Sequence, residues 1–155
     1  MSWKYIAGFF DGEGSIVFNG KGYRLTIPQT NEEVLLSIKN YLNYGNILKE
    51  RKRKTHWKDS WVYYISQQKL IYKFLKNVQK HVIVKRNLIL EVLPKLECII
   101  NRQKERKKIR EKRIITILKL REKGLSYRKI ELKLSLDRGY IRRLVLASKN
   151  MEALV

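Results

Sequence analysis

The chain has 155 residues with 35 Lys and Arg against 14 Asp and Glu, a formal charge of +21 that makes it self-repelling unless anions surround it and that points to nucleic acid as a partner. Its 44% hydrophobic content excludes a disordered basic tail, and one cysteine, Cys98, and two histidines, His56 and His81, exclude a disulfide framework, a cysteine-rich zinc site and a His-based nuclease centre. No apolar run reaches the ~20 residues of a membrane span and the N-terminus lacks a signal-peptide pattern, so an intracellular protein that stays with the host DNA is expected, as one compact domain with a small appendage.

The first element spans Ile6-Ala7-Gly8-Phe9-Phe10-Asp11-Gly12-Glu13-Gly14, an apolar helical turn whose two acids are each followed by glycine. Gly8 and Gly12 are four residues apart and share one face, which is left bare for the close approach of another backbone. Glu13 falls where helix gives way to strand, so its carboxylate projects beyond the helix end. If two copies pair about a two-fold axis through this face, which would then hold Ala7, Gly8, Asp11 and Gly12, their Glu13 side chains converge. Two carboxylates a few ångströms apart repel by roughly 1 kcal/mol in water and several times more in a poorly solvated cleft. A hard divalent cation would stabilise such a pair, and Mg²⁺, or Mn²⁺ in its place, suits oxygen ligands.

Next come β-rich runs at 15–19 and 23–27, joined by Gly20-Lys21-Gly22 as a hairpin, with Pro28 ending the second. Asn31 can cap a helix carrying Val34, Leu35, Ile38, Tyr41 and Leu42, which Gly45-Asn46 stops. A second strand pair is expected at 47–54 and 60–66, then a helix from about 70 to 78 and a longer one from about 84 towards 100. The order is αββαββα, an α+β fold with a four-stranded antiparallel sheet on one side and helices on the other. In the third strand Lys49, Arg51 and Arg53 alternate and share a face. Asn19, Lys21, Arg24 and Thr26 are candidates for the same face from the first hairpin, with Tyr64 and either Ser60 or Val62 from the fourth strand. A β-ribbon fits the major groove of duplex DNA, where Arg and Lys read guanine and Asn reads adenine.

The order Gly-Phe-Phe-Asp-Gly-Glu-Gly-Ser-Ile at 8–16 resembles the signature of the LAGLIDADG homing endonucleases, with Phe in place of the usual aliphatics and Glu13 in place of the commoner Asp. Only one copy of the motif occurs, and the resemblance covers about 1–97. It implies a single-motif homodimer, encoded by a mobile intron or intein-like element, that lays two β-saddles on a pseudo-palindromic double-stranded DNA site. Each protomer would cut one strand through metal-assisted hydrolysis. Glu13 is then the metal ligand, with the Gly12 carbonyl as a second donor. Gln29, in Ile-Pro-Gln-Thr-Asn, matches a glutamine that orients water, with Asn31 as the alternative. Lys85, in Val-Ile-Val-Lys-Arg-Asn, matches a lysine that offsets developing negative charge, with Arg86 as its rival. Relatives include RNA-binding maturases and non-cleaving DNA-binding regulators, so intron RNA is a further partner to consider.

Beyond 100 the chain changes character. Residues 101–113 hold eight Lys or Arg against two Glu, without Pro or Gly, and read as a basic helical linker over 101–112 that either lies along phosphates or is simply solvated. In 113–149, Ile114, Ile117, Leu118 and Leu120 give an amphipathic helix that Gly124 stops; Ser126 caps a second helix and Asp137 a third. The spacing resembles helix-turn-helix modules of the resolvase and regulator type, whose recognition residues here would be Arg138, Tyr140, Arg142 and Arg143. A plain three-helix cap is the alternative.

Overall fold

A computed structural model of the chain describes residues 1–52 and 56–152. The elements run α1 (Trp3–Glu13), β1 (Ser15–Phe18), β2 (Tyr23–Gln29), α2 (Glu32–Leu42), β3 (Asn46–Lys49), β4 (Trp61–Ile65), α3 (Gln68–Val78), α4 (Arg86–Glu122), α5 (Tyr127–Leu134) and α6 (Arg138–Glu152). The chain divides into two compact units, Met1–Asn101 and Arg102–Val155.

In the first unit the four strands form one antiparallel sheet in the order β1-β2-β4-β3. One sheet face is covered by helices. Tyr23, Leu25 and Ile27 of β2 and Tyr63 and Ile65 of β4 alternate onto that face, where they meet Ile6, Ala7 and Phe10 of α1, Ile71, Phe74 and Leu75 of α3 and the first turns of α4. Phe10 is fully buried and lies edge-on to Phe74 at 5.2 Å; burial of such a ring contributes about 1.5–3 kcal/mol.

Local signals set most boundaries. Ser2 accepts the Tyr5 N–H and starts α1, and Asn31 accepts the N–H groups of Glu33 and Val34 and starts α2. Three boundaries differ from expectation. Pro28 does not end β2, which continues to Gln29, because β1 stops at Ser15 opposite Thr26 and β2 beyond that point pairs on one side only. β3 is shorter than 47–54 and ends at Lys49. The last core helix, the basic stretch and the first helix of the tail form one element, α4, since nothing between Arg86 and Glu122 breaks the pattern except Pro94.

The second unit packs the end of α4 with α5 and α6 around Ile117, Ile130, Ile141, Leu144 and Val145. Gly124, at φ +77°, closes α4, with the Leu125 N–H returning to the Leu120 carbonyl at 3.1 Å. Ser126 and Asp137 cap α5 and α6 through the N–H groups of Lys129 and Tyr140. Among the described residues no helix is long and apolar enough to cross a membrane.

Candidate functional site

The last turn of α1 gathers the sequence-predicted chemistry. Glu13 closes the helix, is exposed, and its carboxylate makes no hydrogen bond or ion pair among the described residues. A helix C-terminus is the unfavourable end for an anion, at about 0.3–1 kcal/mol, so this acid contributes nothing to the stability of its own helix. The carbonyls around it are partly taken. That of Phe10 accepts the Gly14 N–H at 2.8 Å, and that of Asp11 accepts the Lys85 ammonium. The Gly12 carbonyl and the Glu13 carboxylate, on adjacent residues, would make an all-oxygen donor set suited to a hard cation. One protomer does not complete such a site, since among the described residues no three His, Cys, Asp or Glu side chains gather.

The glycines divide by direction. A Cβ at Gly8 or Gly12 would meet nothing within 4 Å, so that ridge of α1 lies open, whereas one at Gly14 would fall inside van der Waals contact with the Phe10 ring and 2.7 Å from the Phe10 carbonyl oxygen. Two of the expected interface residues are placed otherwise. Ala7 is wholly buried in the core, because the helix turns it inward with Ile6 and Phe10. Asp11 is committed within the chain: one carboxylate oxygen accepts the N–H groups of Ile83 and Val84 at 2.7 and 2.9 Å, and the other that of Lys85 at 2.8 Å. That bond set fixes the turn leading into α4 and leaves Ile83 and Val84, 84% and 79% exposed, next to the end of α1. Sequence reading missed this apolar pair, whose signal was two β-branched residues ahead of a lysine with no strand to hold them.

Lys85 is thereby brought to the end of α1 that carries Glu13, with its ammonium 5.8 Å from the centre of the Phe10 ring. Its rival Arg86 opens α4 and is exposed. Gln29 ends β2 at the end of the sheet where α1 leads into β1; its side-chain amide oxygen accepts the Thr30 N–H at 2.7 Å. Asn31 is spent on capping α2.

The sheet face away from the helices is open. The register places Ser15, Thr26, Tyr64 and Asn46 in one row across all four strands, with Val17 and Arg24 paired on one flank and Pro28, Val62 and Leu48 in a row on the other. Arg24, Thr26 and Tyr64 therefore lie where expected, with the Arg24 guanidinium 4.7 Å over the Tyr64 ring. Ser15 and Thr26 are bonded through their hydroxyls at 2.7 Å. A shallow groove of about 790 Å³ runs along this face, with Arg51, Lys52 and Lys58 at its rim.

Several expected readers are placed differently. Lys49 pairs with Trp61 on the helix-facing side, where its ammonium lies 5.3 Å from that ring and 3.0 Å from Asp59, because the strand begins at Asn46 and the open-face positions are Asn46 and Leu48. Arg51 follows the strand in coil and reaches the rim without belonging to an alternating face. Asn19 builds the hairpin, its carbonyl oxygen accepting the N–H groups of Lys21 and Gly22, and Lys21 sits exposed in that turn. Arg53 lies outside the described residues. Gln68, which sequence reading passed over, is buried and holds the backbone N–H and carbonyl of Tyr23 at 2.7 and 2.8 Å, standing in for a strand pair.

In the second unit Arg138, Arg142 and Arg143 are exposed on α6, and Arg138 and Arg142, four apart, line one shallow pocket together with Glu131. Tyr140 is instead packed against the small core, since it lies one turn before Leu144 on the inward stripe.

Comparison with known proteins yields a match to the LAGLIDADG-like domain family over residues 2–79. No curated protein matches. Among solved structures, the archaeal intron-encoded homing endonuclease I-Vdi141I, complexed with DNA, is 26% identical, with 64% of this chain covering 69% of that one at a TM-score of 0.50. Homing endonuclease I-CvuI, in complex with its target in the presence of calcium, is 21% identical over 65% of this chain and 69% of that one, at 0.51. The LAGLIDADG meganuclease I-AabMI, bound to uncleaved DNA, is 21% identical over 72% of this chain and 42% of that one, at 0.51.

Proposed function

The chain belongs to the LAGLIDADG-like domain family, and on that premise we propose that it is a site-specific homing endonuclease that makes a double-strand break in a long pseudo-palindromic DNA site, as a homodimer, by divalent-metal-dependent hydrolysis. The observation that carries this reading is the exposed Glu13 carboxylate at the C-terminal end of α1, without a partner among the described residues and beside a ridge that Gly8 and Gly12 leave open. A second α1 laid along that ridge brings the two Glu13 groups together and supplies the donors that one protomer lacks. Tyr5, stacked on Phe9, and the exposed Ile83 and Val84 add apolar surface to the same contact.

Glu13 and the Gly12 carbonyl would hold Mg²⁺ or Mn²⁺, which supplies Lewis-acid polarisation of a phosphate oxygen and a stronger nucleophile from water. The chain's own groups do the positioning. The Lys85 ammonium uses one donor on the Asp11 carbonyl and keeps two for the developing charge on phosphate. The Gln29 side chain, steadied by Thr30, orients the attacking water. Arg24, Thr26 and Tyr64 meet base edges, while Arg51 and Lys21 meet backbone phosphate. The second unit acts as a helix-turn-helix that places α6 in the major groove beyond the core's footprint, with Arg138, Arg142 and Arg143 as its contacts.

Cleavage of a randomised duplex library with Mg²⁺, with Glu13→Gln as the control, tests the proposal. Discrete cuts at one long, nearly palindromic sequence, lost in Glu13→Gln while binding to that sequence persists, are expected. Cutting by Glu13→Gln would remove the catalytic assignment. Specific binding without any cutting by the wild type would recast the chain as a DNA-binding regulator or intron-RNA maturase.

A further inference from the structure

The open sheet face is not uniformly basic. Leu48 and Val17 are 51% and 58% exposed, Pro28 is exposed beside them, and Val62 floors the groove between Pro28 and Leu48. Among the described residues, Leu48, Val17 and Pro28 stand open to solvent, while Val62 beneath them is buried. Cations stand around this apolar patch: Arg24 on β2 and Arg51, Lys52 and Lys58 at the rim, where Lys52 is ion-paired with Asp59 at 2.9 Å and Glu50 is bonded to the Ser60 hydroxyl at 3.2 Å. An apolar floor inside a cationic border matches an anionic partner that carries apolar groups between its phosphates. Duplex DNA presents such groups in the major groove, as the C5-methyls of thymine, the apolar feature of the base edges there. The polar row of Ser15, Thr26, Tyr64 and Asn46 lies two residues along the strands from the Pro28-Val62-Leu48 row, roughly 6.7 Å at the rise of a strand, which is the span of about two base pairs. The two rows therefore fall on different base pairs and ask for different chemistry.

We propose that Leu48, Val62 and Pro28, with Val17 on the far flank, select thymine through its methyl group, so that each half of the target carries thymines beneath this patch while the polar row reads its neighbours by hydrogen bonds. This rests on the reading that the sheet docks on duplex DNA. Four apolar side chains against methyls provide discrimination that the charged rim cannot, because phosphate contacts carry no sequence information.

The test uses the full chain with EDTA, so that binding is measured without cutting. A duplex is selected from a randomised library and resynthesised with deoxyuridine replacing thymidine at one position at a time, which removes the methyl and leaves base pairing intact. Loss of affinity of about fourfold per methyl, the factor for burying one such group, is expected at a few positions in each half-site and nowhere else. Leu48→Asn is exposed enough to fold normally, and in it the penalty at the thymine beneath Leu48 disappears while those elsewhere remain. A selected duplex indifferent to every replacement overturns the inference and leaves the endonuclease reading standing. Identical penalties in Leu48→Asn also overturn it, by placing methyl recognition elsewhere. A library that yields no preferred duplex overturns both.

Discussion

Burial disfavours the charged form of Asp11, yet the N–H groups of Ile83, Lys85 and Val84, together with the Lys85 charge, outweigh it and hold the carboxyl below the usual carboxylate range. A depressed folded pKa means that the ionised carboxylate contributes stability at any pH above the ordinary aspartate value, and that this contribution is lost as pH falls through the folded value. Asp11→Asn keeps one acceptor oxygen and turns the other into a donor that faces N–H groups. It is expected to lose about 1 kcal/mol at neutral pH, the scale of a missing helix cap, with the gap from wild type closing as pH falls below about 4. Urea unfolding of both proteins across that range checks it, and a gap independent of pH would show that the charge on Asp11 is not what holds the turn. The same variant separates two readings of the Asp-Gly-Glu-Gly run, since Asp11 works inside the protomer and Glu13 does not.

At the scale of the element, α1 carries a stripe that is good for the protomer and a ridge that serves it in no way. Gly8→Ala and Gly12→Ala meet no neighbour and raise helix propensity by about 0.8–1 kcal/mol, so protomer stability should rise. If two ridges pack together, the added methyls push the backbones apart and the dimer should weaken at least tenfold by sedimentation equilibrium. An unchanged dimer with a stabilised fold would take α1 out of the interface. Gly14→Ala should behave oppositely, destabilising the fold through the clash with Phe10. Helices of this kind were legible in the sequence because their caps are local: Ser126, Asp137, Asn31 and Gly124 each act where expected. Strand faces were less so. Side chains alternate with a period of two, and reading β3 through to residue 54 put Lys49, which the register turns towards Trp61 and Asp59, on the wrong side. Arg51 and Lys52, which suggested a longer strand, lie in coil, and Leu48, which does face out, carries no charge to draw attention. Asp11 was misjudged for a different reason: its partners are backbone N–H groups 72–74 residues away, and a backbone amide leaves no mark in the sequence.

For the whole molecule, charge is the quantity that decides. Residues 102–155 hold eighteen Lys and Arg against six Asp and Glu, and the first 101 hold seventeen against eight, so the last third of the chain carries more than half of the excess. All of 101–113 is exposed, and like charges recur four apart at Arg102/Arg106, Lys104/Lys108, Arg106/Arg110 and Lys108/Lys112, each pair costing a few tenths of a kcal/mol against a single long ion pair, Lys107 to Glu111 at 3.8 Å. Phosphate relieves that repulsion. Each phosphate neutralised adds about 0.9 to the slope of log affinity against log salt, and a tethered second contact raises affinity because its binding becomes intramolecular. Deleting 113–155 removes the small core around Ile117 and Ile130 as a unit, shortens α4 beyond its core-packed turns, and leaves the sheet with α1, α2 and α3 intact. The truncated protein should bind its selected duplex more weakly, with a shorter footprint at both ends and a shallower salt slope, while its cut positions stay the same at saturating protein. Arg142→Ala in the full chain should reproduce part of the loss and shallow the slope by about one. A footprint unchanged by the deletion would mean that the tail never reaches DNA, and the plain helical cap would then be the better account of its arginines.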